Sequence, residues 1–296
     1  MANVAKGEKR EYETSAVIWI DLLGYGSMLE EAAWNPTSVA AKQAIDRIVK
    51  FQEIVTFHSM RHFPTFVMND GAVAYRDLSA RSCTPTFDFL RRAYALHSEI
   101  NAAEAAKNHP GARAVLAVGL RVRRTVDYSR RLNGGEGLRI REKLKSGEIL
   151  GDQAISHALM ARHHCDSTPE LQHNYALTKA YLADSSGTKG GIGGARFFVD
   201  RNIFGGSVPK WVTHDAPANW ASRGMQGVFL PISSIDITAA NACKHDGVLD
   251  AFGVVKRMYD DPAVLASVKA SRVGDLRGHA KGANNSLEPN PLRGSA

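Results

Sequence analysis

The stretch VIWIDLLGYGSML, from Val17 to Leu29, begins the foldable part of the chain and decides its organisation. Its β-branched and aliphatic residues up to Ile20 predict a fully buried strand. The strand ends in Asp21, and a carboxylate is costly to remove from water unless something positive lies beside it. Asp21 is therefore either a local helix cap or a ligand for a cation.

The bulk composition is that of an ordinary globular protein. Of the 296 residues, 44% are hydrophobic and 23% are charged. The apolar runs are strand-sized, and the polar N-terminus has no hydrophobic segment of a signal peptide. The 3 cysteines are widely spaced and form no zinc or disulfide pattern. We therefore expect a cytoplasmic protein without a membrane span.

The net charge of +7 would suit an anionic partner or a polyphosphate ligand. Part of the basic excess lies in the tail after Ser271, and part lies in RVRRTVDYSRR, Arg121 to Arg131. Neither segment interleaves aromatic residues with basic ones as a base-stacking surface does. Nucleic-acid binding is therefore not favoured.

The order of predicted elements indicates an α+β fold with one mostly antiparallel sheet and helices packed on it. A disordered lead is expected over 1–13, a main domain over 14–235, a C-terminal helical extension over 236–276 and a disordered tail over 277–296. The predicted elements are strand Ser15–Ile20, helix Ser38–His58, a hairpin at Asn69-Asp70-Gly71, helix Phe87–Ala105, strand Ala114–Val122, helices Gly151–His163 and Tyr175–Ala183, strands Arg196–Val199 and Val228–Ile232, and helix Val248–Met258.

A second aspartate, Asp70, occupies the tip of the predicted hairpin, in M-N-D-G-A-V-A. Asn-Asp-Gly is also typical of a plain turn, so Asp70 by itself has a purely local explanation. If the two strands are sheet neighbours, Asp21 and Asp70 meet at one rim, where two carboxylates repel unless a divalent ion neutralises them. Mg²⁺ or Mn²⁺ bound by two aspartates and triphosphate oxygens would satisfy the pair. Gly24 and Gly26 would let backbone amides approach a phosphate.

These motifs resemble those of a known family. D-L-L-G-Y followed by N-D-G-A-V-A resembles the two metal-binding motifs of class III nucleotide cyclases. The segments AVIWIDLLGYGSML, FVMNDGAVAYRD and LTKAYLADSSG look most like the Pycsar pyrimidine nucleotide cyclases of bacterial antiphage defence. The resemblance covers roughly residues 14–235, which would then be the catalytic domain with a class III cyclase-like fold.

The resemblance implies a set of site residues. Asp21 and Asp70 would hold two Mn²⁺ or Mg²⁺ ions per site, and the carbonyl of Leu22 would bind the second ion. The turn after Asp21 would hold the triphosphate on its backbone amides, which belong to Leu23, Gly24, Tyr25 and Gly26.

The resemblance also implies an activity and partners. We expect conversion of UTP to 3′,5′-cyclic UMP and pyrophosphate by a homodimer with active sites at its interface. The product would be a second messenger read by a separate effector protein. Two alternatives stay open: a cytidylate cyclase that makes cyclic CMP, and a degenerate cyclase-fold module that binds nucleotide without turnover.

The sequence departs from purine cyclases at three positions. Phe66 stands where they have a base-reading lysine or glutamate, and Thr178 and Leu182 stand where they have an asparagine and an arginine. The cation that would stabilise the transition state is thus unassigned. Arg121 and Arg123 are the predicted catalytic cations.

Other readings of these cations remain open. Arg124, in the same cluster, and Lys179 are further candidates for the catalytic role. The arginine cluster is also explained by a solvated strand end.

Overall fold

The structure is a computed structural model that describes residues 12–123, 134–160, 168–259 and 261–268. The predicted tail 277–296 lies outside these residues, as does most of the predicted lead 1–13. The last two residues of that lead, Tyr12 and Glu13, are in fact the first residues of a strand. None of the described helices is long and apolar enough to cross a membrane.

The first half of the chain forms a βαββαβ unit. Its strands lie in the order β2-β3-β1-β4, and each pairs antiparallel with its neighbour. This is the ferredoxin-like arrangement. The elements are β1 (Tyr12–Leu22), α1 (Tyr25–Glu31), α2 (Val39–His58), β2 (Thr65–Met68), β3 (Gly71–Asp77), α3 (Thr84–Ala105) and β4 (Ala112–Val122).

The second half extends the same sheet. Its elements are α4 (Gly134–Lys145), α5 (Gly151–Met160), α6 (Tyr175–Ser186), β5 (Phe197–Asp200), β6 (Val212–His214), β7 (Ala218–Ser222), β8 (Met225–Ile235), α7 (Ile237–Ala242) and α8 (Ala251–Met258). The order continues as β4-β5-β8-β6, with β7 also on β8. Among the described strands β4 and β5 pair parallel and all other pairs are antiparallel. The predicted α+β class with a mostly antiparallel sheet is confirmed.

The side chains of β1 alternate between two cores, since successive residues of a strand point to opposite faces. Ile18 and Ile20 lie in the larger core, where they are buried with Phe51 of α2 and Leu90 of α3. Helices α7 and α8 also contribute buried residues to this core, so the predicted extension from residue 236 packs against the main sheet.

The opposite face of the sheet is covered by α6. Val17 and Trp19 of β1 are buried there with Ala180 and Ala183 of that helix. Small alanine side chains let the helix axis lie close to the strands. This second core matters for function because the residues of β1 on this face lead directly to Asp21.

The second half of the chain departs most from the prediction. Strand β8 runs from Met225 to Ile235 and continues through Pro231, so it is longer at both ends than the predicted strand Val228–Ile232. Pro231 pairs with Phe198 of β5, with the strand unbroken on both sides. Strands β6 and β7 were not predicted, because they are only 3 and 5 residues long and have no clear alternation.

Candidate active site

Asp21 and Asp70 lie at the same end of the sheet. Asp21, near the end of β1, is in register with Gly71 of β3 on one side and with Arg113 of β4 on the other. The N–H of Leu22 donates to the carbonyl oxygen of Asp70 across 3.0 Å. The backbone therefore holds the end of β1 against the tip of the hairpin.

The hairpin tip uses each residue of Asn69-Asp70-Gly71 for a separate purpose. Asn69 has φ of 53°, a left-handed conformation that asparagine tolerates better than most residues, and its amide donates to Asp70 Oδ1 at 3.1 Å. A Cβ on Gly71 would lie 3.0 Å from the Trp19 ring, so glycine lets the strand pass over the indole. The predicted turn is thus also what brings Asp70 to the rim.

A cavity of about 520 Å³ opens beside the two carboxylates. It lies between the sheet rim and the end of α6, where the Tyr181 ring meets the Trp19 indole edge-on with centroids 5.3 Å apart. Its lining residues are Trp19, Asp21, Met68, Asp70, Gly71, Arg113, Tyr181, Asp184, Ser185 and Gly187.

Negative charge accumulates at Asp21. The pKa of Asp21 is raised to about 7, mainly by burial and then by the charges of Asp184 and Asp70, while the charge of Arg113 opposes the shift. A pKa this high shows that the ionised carboxylate is poorly compensated by the protein itself. A bound divalent cation would supply the missing positive charge.

An ion pair between Arg113 and Asp184 borders the same cavity. Arg113 Nε lies 2.6 Å from Asp184 Oδ1, and Nη2 donates to the Asp184 backbone carbonyl at 3.0 Å. Burial raises the pKa of Asp184, and Arg113 lowers it. The pair joins β4 to α6. Sequence reasoning missed it, because only the strand register shows that Arg113 stands opposite Asp21.

The donor set fits a hard divalent cation bound together with phosphate. Asp21 and Asp70 offer carboxylate oxygens, the ligand type that Mg²⁺ and Mn²⁺ prefer. Within the described ranges, no group of three or more His, Cys, Asp or Glu residues could hold a metal ion. Such an ion would need further oxygen ligands, as a triphosphate provides.

The turn after Asp21 is only partly available for phosphate. Gly24 caps α1 with φ of 73°, a left-handed conformation that favours glycine. The Leu23 amide donates to the Gly111 carbonyl at 2.9 Å, so the expectation that it binds triphosphate is wrong. Tyr25 is buried in the larger core, and the turn residues 22–26 do not line the cavity. Gly26 meets no heavy atom within 4 Å of an added Cβ.

Arg47 of α2 holds the turn after Asp21 by a hydrogen bond to its backbone. Its Nη2 donates to the Leu23 carbonyl at 2.9 Å, and its Nε donates to Glu104 Oε2 at 2.9 Å. The side chains of Arg47 and Glu104 are 1% and 8% exposed. The sequence places Arg47 within an amphipathic helix, and nothing local distinguishes a buried arginine from a solvated one.

Within one chain the structure does not bring Arg121 and Arg123, the predicted catalytic cations, to Asp21. Arg121 lies eight positions beyond Arg113 on β4, roughly 26 Å along the strand. There its guanidinium binds the carboxylate of Asp77. Arg123 Nη1 lies 3.4 Å from Glu13 Oε1, near the beginning of β1. Both side chains are therefore at the opposite end of the sheet.

The structure also describes the positions of Lys179, Thr178 and Phe66. Lys179 Nζ lies 2.6 Å from Asp200 Oδ2 in a buried pair, and Arg124 is outside the described residues. Thr178 is exposed, and its hydroxyl donates to the backbone carbonyl of Asn174 at 3.2 Å. Phe66 lies on strand β2 at the sheet edge and is 43% exposed.

Comparison with known proteins adds likeness of architecture only. The sequence matches no protein-family model and no curated protein sequence. Among solved structures, the guanylyl cyclase Cya2 is 10% identical, with 78% of this chain and 96% of that one covered and a TM-score of 0.43. The guanylate cyclase domain of RhGC from Catenaria anguillulae, in complex with GTP, is 11% identical, with 76% of this chain and 99% of that one covered and a TM-score of 0.36. The dimeric guanylyl cyclase domain of RhoGC from Blastocladiella emersonii is 10% identical, with 76% of this chain and 99% of that one covered and a TM-score of 0.37. Nothing about activity follows from likeness at this level.

Proposed function

We propose that the chain is a nucleotide cyclase that converts UTP into 3′,5′-cyclic UMP and pyrophosphate. The observation that carries this proposal is the meeting of Asp21 and Asp70 at one rim of the sheet, beside a cavity that Arg113 also lines. Two carboxylates and a guanidinium around one opening suit a divalent cation and the triphosphate that it accompanies.

The reaction requires positioning and charge stabilisation more than a covalent partner. The ribose 3′-oxygen attacks the α-phosphorus, the bond to the oxygen that bridges to the β-phosphorus breaks, and pyrophosphate leaves with that oxygen. The 3′-hydroxyl proton passes to water. Asp21, Asp70 and the Leu22 carbonyl would hold two Mn²⁺ or Mg²⁺ ions, which supply Lewis-acid stabilisation of the charge on the phosphate oxygens. Amides of the turn at Gly24 to Gly26 would bind the triphosphate.

The choice of a pyrimidine is supported by what the chain lacks. Phe66 replaces the polar residue that purine cyclases use to read the base, and the motif resemblance favours UTP over CTP. The same resemblance supports a homodimer with active sites at its interface, and a second messenger made during phage infection for a separate effector.

The direct test incubates the purified chain with each of the four nucleoside triphosphates and Mn²⁺, and detects cyclic product by mass spectrometry. We expect cyclic UMP from the wild type and its loss in Asp21→Asn and Asp70→Asn. Asp46→Asn, an exposed aspartate of α2, is the matched control. A cyclic purine product would overturn the choice of base, and undiminished activity in Asp21→Asn would overturn the site.

A nucleotide-binding module without turnover is the second candidate. It is favoured by Thr178 and Leu182, which provide neither the amide nor the guanidinium found at those positions in purine cyclases. Binding of UTP with Mn²⁺, measured by calorimetry, without cyclic product from any triphosphate would favour this module over the enzyme.

A further inference from the structure

We propose that Arg113, whose guanidinium is held by Asp184, is the cation that contacts the triphosphate at this site. The proposal rests on the proposed function, because it presumes a metal-bound triphosphate at Asp21 and Asp70. It replaces Arg121 and Arg123, which the sequence favoured and which lie at the other end of β4.

The position of Arg113 is the first argument. Arg113 is the direct cross-strand neighbour of Asp21, and cross-strand neighbours on one face of a sheet have closely spaced side chains. Of the described residues that line the cavity, Arg113 alone is cationic. An anion held at the two aspartates through a metal would find its nearest guanidinium here.

The orientation of Arg113 is the second argument. Its Nε and Nη2 both donate to Asp184, one to the carboxylate and one to the backbone carbonyl. A guanidinium is planar and has five N–H donors in a fixed fork, so holding one edge sets the direction of the rest. Within the described part of the chain, Nη1 has no hydrogen-bond acceptor. Arg113 thus has donors left for a ligand and little freedom to turn away.

The charge of Arg113 should affect the binding of metal and the binding of triphosphate in opposite directions. A divalent ion at Asp21 and Asp70 is repelled by the neighbouring Arg113, whereas a triphosphate between them attracts both cations. The metal alone should therefore bind weakly, and metal and triphosphate should bind cooperatively. An arginine that served only to pin α6 to β4 would repel the metal in the same way, so the loss of triphosphate affinity is the effect that distinguishes a direct contact.

The test compares Arg113→Gln with the wild type by calorimetry, with Mn²⁺ alone and with inorganic triphosphate in saturating Mn²⁺. We expect Mn²⁺ alone to bind about threefold or more tightly in the variant, because the repulsion is removed. We expect triphosphate to bind about tenfold or more weakly, because a charge-assisted hydrogen bond is lost. Affinities that fall together, or that both stay at the wild-type value, would overturn the proposal.

Two further variants keep the result interpretable. Arg76→Gln removes another strand arginine paired with a helix aspartate, Asp88, and we expect neither affinity to change. Arg113→Lys keeps the charge and loses the planar fork, so Mn²⁺ binding should match the wild type while triphosphate binding falls about threefold. If Arg113→Gln does not fold, Arg113→Lys decides, and unchanged triphosphate binding by it counts against the proposal.

This experiment is separable from the test of the proposed function. Both affinities are read without turnover. If the wild type makes cyclic UMP and Arg113→Gln binds triphosphate as well as the wild type, only the role of Arg113 fails. If Arg113→Gln shows the two opposite effects but the wild type makes no cyclic product, only the enzymatic proposal fails. A wild type that binds no triphosphate overturns the Arg113 assignment.

Discussion

The N–H of Leu22, the last residue of β1, donates across 3.0 Å to the carbonyl oxygen of Asp70 in the turn between β2 and β3. This bond joins the end of β1 to the tip of the β2–β3 hairpin at the point where both carboxylates leave the sheet. Because each aspartate is adjacent to a bonded backbone group, their separation is fixed by the sheet. The site is therefore preorganised by the backbone pairing between β1 and the hairpin.

Gly71→Ala should disturb this end of the sheet. The added Cβ would lie 3.0 Å from the Trp19 ring, so the indole or the strand must shift, and inserting a methyl group into a packed core costs about 1–3 kcal/mol. We expect a lower free energy of unfolding in urea. Gly26→Ala is the matched control, since nothing lies within 4 Å of its added Cβ. It should be stabilising by about 0.5–1 kcal/mol, as expected for alanine within a helix. Equal effects of the two substitutions would contradict the close packing.

Asp21→Asn should stabilise the metal-free protein. The pKa of Asp21 is raised from 3.8 to about 7 in the fold, so the unfolded chain binds fewer protons between these values and stability falls as pH rises through this range. Asparagine does not titrate, so the variant does not lose this stability as the pH rises. In EDTA, the Tm of the variant should exceed that of the wild type most above pH 7, and the difference should shrink towards pH 4.

Added Mn²⁺ should reverse the order of the two Tm values, since the ion binds the folded wild type and stabilises it by mass action. The Tm of the wild type should therefore rise with Mn²⁺, and the Tm of Asp21→Asn should respond much less. An equal response of both proteins to Mn²⁺ would show that the ion binds elsewhere.

The sequence predicts those parts of the site whose determinants are local. Asp21 follows a continuous apolar strand, and Asp70 lies in an Asn-Asp-Gly turn, so both positions can be read from their neighbours along the chain. Their proximity needs only the assumption that the two strands are paired, which the hairpin and the helical crossover favour.

Arg113 and Arg47 escaped prediction because their roles depend on partners distant in sequence. The orientation of Arg113 depends on its hydrogen bond to Asp184, 71 positions away, and that of Arg47 depends on its hydrogen bond to Glu104, 57 positions away. The arginines that the sequence did favour, Arg121 and Arg123, were conspicuous because they are clustered. Clustering along a strand says nothing about which end of the sheet the side chains occupy, and within one chain these two lie at the end opposite Asp21.

The buried His97 should make stability depend on pH. Burial lowers its pKa to about 4, while its Nε2 lies 3.1 Å from the Ala112 carbonyl oxygen. Between pH 6.5 and 4 the unfolded chain binds the proton and the fold does not, so stability is complete above pH 6.5 and falls as the pH decreases. The wild type should lose up to about 3 kcal/mol more than His97→Gln over this range.

Urea unfolding of both proteins at pH 7, 5.5 and 4.5 would measure this difference. His62→Gln is the control, because His62 is exposed and its replacement should leave the pH dependence of the wild type intact. Parallel curves for the wild type and His97→Gln would mean that His97 takes up a proton in the fold as readily as in the unfolded chain.

Arg47→Met should be among the most destabilising single changes. It removes the guanidinium that binds both the buried Glu104 carboxylate and the Leu23 carbonyl, and breaking a buried ion pair on one side costs about 3–5 kcal/mol. Lys50→Met, on the same helix, removes an exposed pair with Glu53 and should cost less than about 1 kcal/mol. Because Arg47 also holds the turn after Asp21, Arg47→Met should weaken the binding of inorganic triphosphate with Mn²⁺ under conditions where the variant is still folded. A variant that unfolds as readily as predicted but binds triphosphate like the wild type would show that this turn takes no part in binding the phosphates.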